Sequence, residues 1–457
     1  MPGGNSLSLA STVASAYAAR MSQRSRQHAW SIAQAAIAAA APGQAVANAF
    51  GDPRGPVARL LDTCANILVV GAGKAGGPMA LAAEQALAER GRGCTGVVNV
   101  PVGSAYPTRS IRLHPARPPG TNEPTAEGVD GAERMLDLLG QANSQDGCLC
   151  LLSGGGSALL PAPAPGLTLA DKQATTRLLH ACGASIREIN AVRKHLSRIK
   201  GGRLAASFRG RMLVSLIVSD VVGDPLDVIA SGPTAPDPTT YADAVAILQR
   251  YGLWSQVSEA VRAALTNPPL PETPKTLPDS VVNQIICSNT QSLAAAQRQA
   301  AALGYSVLNL GGFIEGDTAA LATVIAGLVR SIRAHAVPLA PPACLLLGGE
   351  TTVRLPADHG RGGRNQQFVL EVLCQLGPDG MDRVTVLSVG TDGEDGPTDA
   401  AGTLADRDVL ADPATVAAAE AARRRCDAYP FFDQAGTLIR TGLTGTNVMD
   451  VRLVLIE

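Results

Sequence analysis

The sequence predicts an α/β protein with two domains, each built around its own sheet. Short apolar runs rich in β-branched residues alternate with helical patterns, as in the run Asn66–Gly71 and the helical pattern Pro78–Glu89 that follows it. Such strand-helix-strand units form parallel sheets with right-handed connections. The alternation stops at Asn267–Pro278, which is rich in proline and threonine, and then restarts. We therefore expect an N-terminal domain over residues 26–266 and a C-terminal domain over residues 279–457.

Each domain is predicted to alternate strands with helices. In the first domain the predicted strands are Asn66–Gly71, Gly96–Val100, Cys148–Leu152 and Met212–Val218, and the predicted helices are Pro78–Glu89, Glu127–Leu139, Asp171–Cys182, Ile186–Arg198 and Tyr241–Tyr251. In the second domain the predicted strands are Val281–Ser288, Ser306–Leu310, Cys344–Leu347, Val384–Val389 and Val451–Ile456, and the predicted helices are Gln291–Leu303, Asp317–Ala334 and Asn365–Gln375. Ligands of open α/β sheets bind outside the carboxyl ends of the strands. Because glycine and a polar residue follow many of these strands, we expect the functional site there.

The composition excludes several classes of protein. Only 3% of the residues are aromatic, while 46% are hydrophobic and 48 are glycine, a mixture typical of parallel sheets in close contact with helices. The net charge of -1 provides no global field that would attract nucleic acid or anionic lipid. Cys148 and Cys150 lie in an apolar run typical of a buried strand, and the nine scattered cysteines indicate a reducing compartment. No apolar stretch reaches the roughly 18 to 20 residues that span a bilayer.

The N-terminal segment allows two interpretations. The first 50 residues contain no Asp, Glu or Lys but include Arg20, Arg24 and Arg26 among Ser and Ala, which resembles an organelle transit peptide. The alternative is a flexible tail over residues 1–25 that leads into a helix near Ala29–Ala41. A cytoplasmic location is expected in the second case, and a mitochondrial or other organelle matrix in the first.

The first motif is the turn Gly71–Gly76 (GAGKAG), which follows a predicted strand and opens a helix. Its glycines, Gly73 among them, let backbone N–H groups approach an anion, and Lys74 adds a compact positive charge for a carboxylate or phosphate. The spacing also matches the dinucleotide fingerprint, but that motif requires an acid at the end of the next strand. This chain has Asn99–Pro101 (NVP) there. A tight turn with a solvated lysine is the alternative.

A second glycine-rich loop, Ser153–Ser157 (SGGGS), follows a very apolar predicted strand. Gly154, Gly155 and Gly156 are expected to direct successive N–H groups toward one anion, with Ser157 beside it. The loop lacks the spacing of a Walker A loop and of a hydrolase nucleophile elbow. A turn that only lets the next segment pack is the alternative.

Asp220 follows the predicted strand Met212–Val218, and Asp224 comes four residues later. Phosphoryl transfer requires hard oxygen ligands for Mg²⁺ and often uses a carboxylate near the attacking hydroxyl. Asp220 is therefore predicted to bind metal or to orient a substrate hydroxyl. An Asx turn or helix cap is the alternative for both acids.

The segment Gly360–Gln367 (GRGGRNQQ) places Arg361 and Arg364 in a loop before a helix. The planar fork of arginine matches carboxylates and phosphates, so both are predicted to bind substrate or the transferring phosphate. A solvated basic loop is the alternative. His359 beside this loop and His195 in the first domain have no partners at metal-ligand spacing, so both are expected to be solvated or to cap helices.

The acidic loop Gly390–Gly396 (GTDGEDG) follows another predicted strand. Asp392 is a candidate Mg²⁺ ligand from the second domain, although the spacing is not that of an EF-hand. A solvated acidic turn is the alternative.

These motifs resemble those of the class II glycerate kinases, which combine a DUF4147 N-terminal domain with a MOFRL C-terminal domain. The matching stretches are Leu152–Pro165, Gly183–Gly202, Ser215–Pro233, Leu347–Gln366, Gly390–Gly402 and Thr441–Asp450. The resemblance extends from about Ile32 to the end of the chain, so it covers nearly the whole sequence.

The resemblance implies a Rossmann-like three-layer first domain, a smaller mixed-sheet α/β second domain and an active site in the cleft between them. It implies ATP-dependent phosphorylation of D-glycerate to 2-phosphoglycerate, with 3-phosphoglycerate as the alternative product, and a divalent metal such as Mg²⁺. Lys74 and Arg364 match residues of the family that are regarded as catalytic or substrate-positioning. The roles of Asp220 and Asp392 rest on the chemistry given above.

Two other functions remain open at this stage. An NAD(P)H-dependent hydroxypyruvate reductase is the alternative enzyme, and the missing ribose-binding acid speaks against it. A non-catalytic sugar-phosphate sensor would bind ligand without turnover. No nucleic-acid or membrane partner is expected, and the sequence leaves the oligomeric state open, with a homodimer as one alternative.

Overall fold

The computed structural model describes residues 6–118 and 123–457, with side chains from residue 23 onward. The chain forms two compact units. The parallel-sheet unit comprises Ala41–Ser288 with Gly445–Asn447. The mixed-sheet unit comprises the described residues up to Ala40, including helix α1 (Ser6–Ala39), together with Asn289–Thr444 and Val448–Glu457.

The parallel-sheet unit alternates strands and helices. Its strands are β1 (Asn66–Ala72), β2 (Cys94–Pro101), β3 (Ile111–Arg117), β4 (Asp146–Leu152), β5 (Met212–Val218) and β6 (Val281–Cys287). Its helices are α2 (Pro42–Gly51), α3 (Pro56–Thr63), α4 (Gly76–Glu89), α5 (Ala126–Gly140), α6 (Gly156–Leu159), α7 (Leu169–Ala181), α8 (Ile186–His195), α9 (Arg203–Ser207), α10 (Tyr241–Arg250) and α11 (Glu259–Thr266). The strand order is β3-β2-β1-β4-β5-β6, and each neighbouring pair is parallel.

This strand order reverses direction between β1 and β4, as in the Rossmann fold. In a parallel sheet of this order, crossovers of the usual right hand put helices on opposite faces, which is the three-layer arrangement that the family resemblance implies. Every residue of β4 and β5 is buried, including Cys148 and Cys150. Strands covered on both faces read as continuous apolar runs, which is why these two were recognisable from sequence.

The mixed-sheet unit contains strands β7 (Ser306–Asn309), β8 (Glu315–Asp317), β9 (Ala343–Thr352), β10 (Val384–Gly390), β11 (Gly402–Ala405), β12 (Leu438–Ile439) and β13 (Asp450–Ile456). Its helices after α1 are α12 (Asn289–Ala302), α13 (Thr318–His335), α14 (Arg364–Gly380), α15 (Pro413–Arg425) and α16 (Ala428–Gln434). The strand order is β12-β11-β10-β13-β9-β7, with β8 paired to β9. Strand β13 pairs antiparallel with both β9 and β10, and β10 pairs antiparallel with β11. Strand β7 pairs parallel with β9, so the sheet is mixed as predicted.

The structure divides the chain differently from the predicted boundaries in two places. Helix α1 packs in the mixed-sheet unit, where Ala29 and Ile32 share a core with Leu293 of α12 and Leu453 of β13. Its buried residues recur at helical spacing, so the segment before Ala40 is an amphipathic helix rather than the start of the first domain. Residues 6–25 of the predicted tail belong to α1, and residues 1–5 lie outside the described part of the chain.

The second difference concerns β6, which was predicted to begin the second domain. It pairs in parallel with β5 and completes the first sheet. The proline-rich segment before it is a packed connection, because Thr273 is buried and donates its hydroxyl to Asp237 at 3.0 Å. The compact units therefore divide the chain after Ser288, beyond this proline-rich segment.

Candidate active site

The carboxyl ends of four parallel strands gather the candidate residues of the parallel-sheet unit. Lys74 follows β1, Arg117 ends β3, the loop Ser153–Ser157 follows β4, and Asp220 follows β5. Since β1 and β4 are the neighbours at which the strand order reverses, their loops border the crevice in which open α/β sheets bind ligands. The sequence prediction of a site at this edge is thus consistent with the observed topology.

The loops after β1 and β4 are in direct contact. Lys74 donates its backbone N–H to the Gly154 carbonyl at 2.8 Å, and the Ser153 hydroxyl accepts the Ala75 N–H at 3.0 Å at the start of α4. Gly73 has a φ of +152°, and a Cβ atom there would overlap the Ser153 hydroxyl. Gly73 therefore has a packing role, because only glycine lets the two loops approach this closely.

Gly155 lies between two cationic side chains. It has a φ of +74°, and a Cβ atom there would lie 3.1 Å from Arg117 Nη2 and 3.4 Å from Lys74 Cγ. Burial lowers the pKa of Arg117, whose Nε has no hydrogen-bond partner among the described residues. The carboxyl ends of β1, β3 and β4 thus place two positive charges beside one glycine, which favours an anionic ligand.

The predicted three-glycine anion cradle is formed only in part. Gly156 donates its N–H to the Ser153 carbonyl at 3.1 Å, so this group serves the loop itself. A Cβ atom on Gly154 would overlap the Asp220 carboxylate. Gly154 therefore allows the Asp220 carboxylate to approach the same loop that the Arg117 and Lys74 side chains approach at Gly155.

A buried polar network supports the second glycine loop. Lys200 donates to the Ser157 carbonyl at 2.9 Å and to its hydroxyl at 3.1 Å. The Ser157 hydroxyl also lies 2.9 Å from the Ser231 hydroxyl, which donates to Asn190 at 3.0 Å. Ala230 and Ser231 have φ values of +51° and +62°, a left-handed conformation that is costly for residues with a Cβ. Strain of this kind clusters at functional sites.

In the mixed-sheet unit Arg364 is held by two carboxylates. It donates through Nε and Nη2 to the buried Asp450 at 2.7 and 3.0 Å, and its Nη1 lies 3.0 Å from Glu350. Burial alone would lower the pKa of Arg364, but these partners raise it above its usual range. Asp450 also accepts from the buried Arg452 at 2.5 Å. The guanidinium is therefore fixed in orientation and remains charged.

The start of α14 is organised by a buried acid. Asp395 accepts the N–H groups of Asn365 and Gln366, each at 2.9 Å. Burial raises the pKa of Asp395 to about 6, against the lowering effect of these hydrogen bonds. Asn365 also donates to Asp450 at 2.9 Å, so the first turn of the helix and the Arg364 ion pair form one network.

The other candidates of this unit lie in its loops. The guanidinium of Arg361 is centred 4.3 Å from the ring of Tyr429 and donates to the Pro397 carbonyl at 3.3 Å. Asp392 is half-buried, and its Oδ1 accepts the Glu394 N–H at 3.1 Å. Arg361 is thus stacked on an aromatic ring, whereas Asp392 forms an Asx turn within the acidic loop.

Sequence reasoning misjudged one histidine and missed several buried charges. His195 was expected to be solvated or to cap a helix, but it is buried, with its Nε2 2.8 Å from Glu272 and its Nδ1 2.7 Å from the Ala191 carbonyl of its own helix. His359 is exposed, which fits the expectation of a solvated residue, and its Nδ1 lies 2.8 Å from the Gly360 carbonyl. Arg117, Lys172, Lys200 and Asp450 were also missed. For Lys172 the available signal was a lysine that follows shortly after the helix cap Thr168.

The candidate carboxylates fit a Mg²⁺ ion whose coordination shell is completed by substrate. Among the side chains that the structure describes, no group of three or more His, Cys, Asp or Glu residues has metal-site geometry. Mg²⁺ commonly takes only one or two protein carboxylates and completes its shell with water and substrate phosphates. Asp220, at the strand edge, offers a carboxylate of this kind, and Asp392 offers another in its own unit.

No helix among the described residues is both long and apolar enough to cross a bilayer.

Comparisons with known proteins agree with this architecture. Residues 28–266 match the model of a domain of unknown function, DUF4147, and residues 343–450 match the MOFRL family. A glycerate 2-kinase of Pyrococcus horikoshii is 36% identical over 434 residues, which cover 92% of this chain and 95% of the relative. A protein of Agrobacterium vitis named "Putative hydroxypyruvate reductase" is 39% identical over 434 residues, 93% of each chain.

A solved structure shares the fold as well as the sequence. The crystal structure of a glycerate kinase from Thermotoga maritima matches with a TM-score of 0.83 and 35% identity, covering 95% of this chain and all of that one. Fold and site define a two-domain α/β enzyme with a cationic strand edge in a Rossmann-like unit. The chain belongs to the glycerate kinase family that joins a DUF4147 domain to a MOFRL domain.

Proposed function

We propose that this enzyme transfers the γ-phosphate of ATP to D-glycerate and releases 2-phosphoglycerate. The observation that carries the proposal is the strand edge of the parallel-sheet unit, where Lys74 and Arg117 flank Gly155 at the β1–β4 reversal. Phosphoryl transfer depends mostly on positioning and on neutralising negative charge, and this edge supplies both. The name of the Pyrococcus relative, glycerate 2-kinase, supports position 2 of glycerate as the acceptor.

The proposed roles in the parallel-sheet unit follow from position. Lys74 stabilises negative charge on the transferring phosphoryl group. Because Gly73 lets its turn pack against Ser153, the backbone from which the Lys74 side chain extends is fixed in position. The Gly154–Ser157 loop binds the anion through its remaining N–H groups and the Ser157 hydroxyl. Asp220 orients the attacking hydroxyl of glycerate or binds Mg²⁺, because Gly154 allows its carboxylate to approach the loop.

The proposed roles in the mixed-sheet unit rest on charge and rigidity. Arg364 is held by Asp450 and Glu350, which leaves the rest of its five N–H groups for substrate or phosphate. Arg361 binds the same anions from the preceding loop, and Asp392 is a second candidate Mg²⁺ ligand. When bound, Mg²⁺ would neutralise the phosphate oxygens of ATP.

A hydroxypyruvate reductase is the alternative, favoured by the name of the Agrobacterium relative. A nicotinamide dinucleotide site requires an acid at the end of β2 to bind the ribose. In that segment Asn99 is fully buried and donates to the carbonyls of Gly128 and Leu159 at 3.1 and 2.7 Å. The side chain is therefore committed to packing, and the kinase fits better.

A coupled assay separates the three functions. With ATP, Mg²⁺ and D-glycerate we expect continuous ADP release that requires all three components. NADH oxidation with hydroxypyruvate, without ADP release, would establish the reductase instead. Binding of ATP or glycerate without any turnover would establish the sensor.

A further inference from the structure

A second feature of the parallel-sheet unit is a cavity of about 470 Å³ beside the Ser153–Ser157 loop. Gly155, Ser157 and Asp220 line it where it meets the strand edge, and α7 and α8 form its walls. A cavity of this volume is in the range that holds nucleotide-sized ligands.

Three buried or half-buried cations line this cavity: Lys172, Arg193 and Lys200. Among the described residues their hydrogen-bond partners are neutral. Lys172 donates to the Leu196 carbonyl at 2.7 Å, Lys200 donates to Ser157, and Arg193 Nη2 lies 3.2 Å from His180 Nε2. A buried charge without a counter-charge is costly, so this cluster requires an explanation.

A neighbouring lysine shows how this chain pairs a buried cation for structural purposes. Lys194 is buried on α8 and contacts the carboxylates of Asp227 and Asp237 at 3.2 and 3.1 Å. Among the described residues no carboxylate forms an ion pair of this kind with the cavity cations, although Glu123 and Asp220 line the same cavity. The cavity cations differ from Lys194 in facing open space, so a ligand can supply the missing negative charge.

Mutual repulsion in the cavity is reflected in the pKa values. Burial and the charge of Arg193 lower the pKa of Lys172 to about 7. Burial and the charges of Lys172 and Arg193 lower the pKa of Lys200 well below its usual value. A bound anion would relieve this repulsion and restore the protonated forms.

The cavity is long and has an apolar wall. Its α7 lining runs from Lys172 to His180, about 12 Å along a helix. Ala158, Pro161 and Ile186 line it as well, and Ile186 is 51% exposed. The lining therefore combines clustered positive charge with apolar surface. Glycerate, with one carboxylate and no apolar group, uses little of it.

We propose that this cavity binds the nucleotide, with the phosphate chain on Lys172, Arg193 and Lys200 and the base against the apolar wall near Ile186. The terminal phosphate then lies at the Gly155 end, next to Lys74 and Asp220. This assignment rests on the proposed kinase function, and it deepens that function by separating a nucleotide subsite from the glycerate subsite.

The test compares substitutions of the cavity cations by direct ATP binding and by steady-state kinetics. For Lys172→Met and Arg193→Gln we expect the Kd of ATP, measured by calorimetry, and the KM of ATP to rise about ten- to a hundred-fold. The KM of glycerate should stay within about two-fold of the wild-type value. Lys275→Met, on the same unit but outside the cavity, is the matched control and should leave both constants unchanged.

Calorimetry does not require turnover, so the outcomes separate the two proposals. Weaker ATP binding in both variants supports the nucleotide subsite, whether or not the enzyme phosphorylates glycerate. If ATP binds but glycerate is never phosphorylated, the kinase assignment fails and the subsite stands. A rise in the KM of glycerate alone would reassign the cavity to the hydroxy acid. Unchanged constants in both folded variants, with normal kinase activity, would overturn the subsite.

Discussion

Among single residues, Lys74 has the most direct role in the proposed mechanism. Its backbone is fixed by the Gly154 carbonyl, while its half-buried side chain lies along Gly155 at the strand edge. Lys74→Ala removes the charge without changing the backbone contact. We expect kcat to fall by about a hundred- to a thousand-fold, the loss seen when one transition-state donor is deleted.

The fold should survive this change. Because Lys74 is half-buried, the Tm of the variant should remain within about 2 °C of the wild type. Lys275→Ala is the matched lysine control and should retain full turnover. A fully active Lys74→Ala enzyme would remove this residue from the mechanism.

Lys172 gives a prediction about pH and stability. Its pKa is about 7 in the folded chain, against an ordinary value of 10.5, so between these values the unfolded chain binds more protons. The contribution of Lys172 to the free energy of unfolding therefore rises as the pH increases between these two pKa values, by up to about 1.4 kcal/mol per pH unit. The charged and titratable groups that face it in the cavity are Glu123, Arg177, His180, Arg193, Lys200 and Asp220.

The measurement is urea unfolding at pH 7, 8 and 9, with Lys172→Met beside the wild type. We expect the unfolding free energy of the wild type to rise with pH relative to that of Lys172→Met, because the proton that Lys172 gives up on folding costs less as the pH approaches the pKa of the unfolded chain. A constant difference across the three pH values would contradict the lowered pKa.

At the scale of elements, helix α1 belongs to the mixed-sheet unit and contributes to its core. Ile32 is fully buried in the cluster that includes Leu293 and Leu453. Ile32→Ala should lower the free energy of unfolding by about 2–4 kcal/mol. Gln34→Ala, exposed on the same helix, should change it by less than about 0.5 kcal/mol. Equal effects would show that α1 does not support this core.

The elements also show what sequence patterns reveal. Strands β4 and β5 are buried on both faces and were predicted nearly residue for residue, because burial leaves a continuous apolar signal. Strand β3 (Ile111–Arg117) was missed because Arg112, His114 and Pro115 interrupt its apolar pattern. Strand β6 was recognised but assigned to the wrong unit, since sheet membership depends on long-range pairing that a local pattern does not contain.

Local sequence patterns reveal the candidate active site only in part, for the same reason. Glycine followed by a polar residue at a strand end is a local signal, so Lys74, the Ser153–Ser157 loop and Asp220 were found. The cavity cations lie on helices, and there only the folded structure distinguishes Lys172, which faces a cavity, from Lys194, which is paired with Asp227 and Asp237.

For the whole molecule, the roles proposed for Lys74 and Arg364 are tested together. If Lys74 and Arg364 act on the same phosphoryl group, removal of one takes away much of what the other contributes. The double variant Lys74→Ala/Arg364→Ala should therefore lose clearly less kcat than the product of the two single losses. Fully multiplicative losses would indicate two independent roles.

We propose that the strand edge formed by β1 and β4 serves phosphoryl transfer from ATP to a hydroxyl of D-glycerate. The most direct test is phosphorus NMR of the wild-type enzyme incubated with ATP, Mg²⁺ and D-glycerate. We expect loss of the γ-phosphate signal and growth of a 2-phosphoglycerate signal at the same rate. A γ-phosphate signal that persists, or that yields only inorganic phosphate, would contradict it.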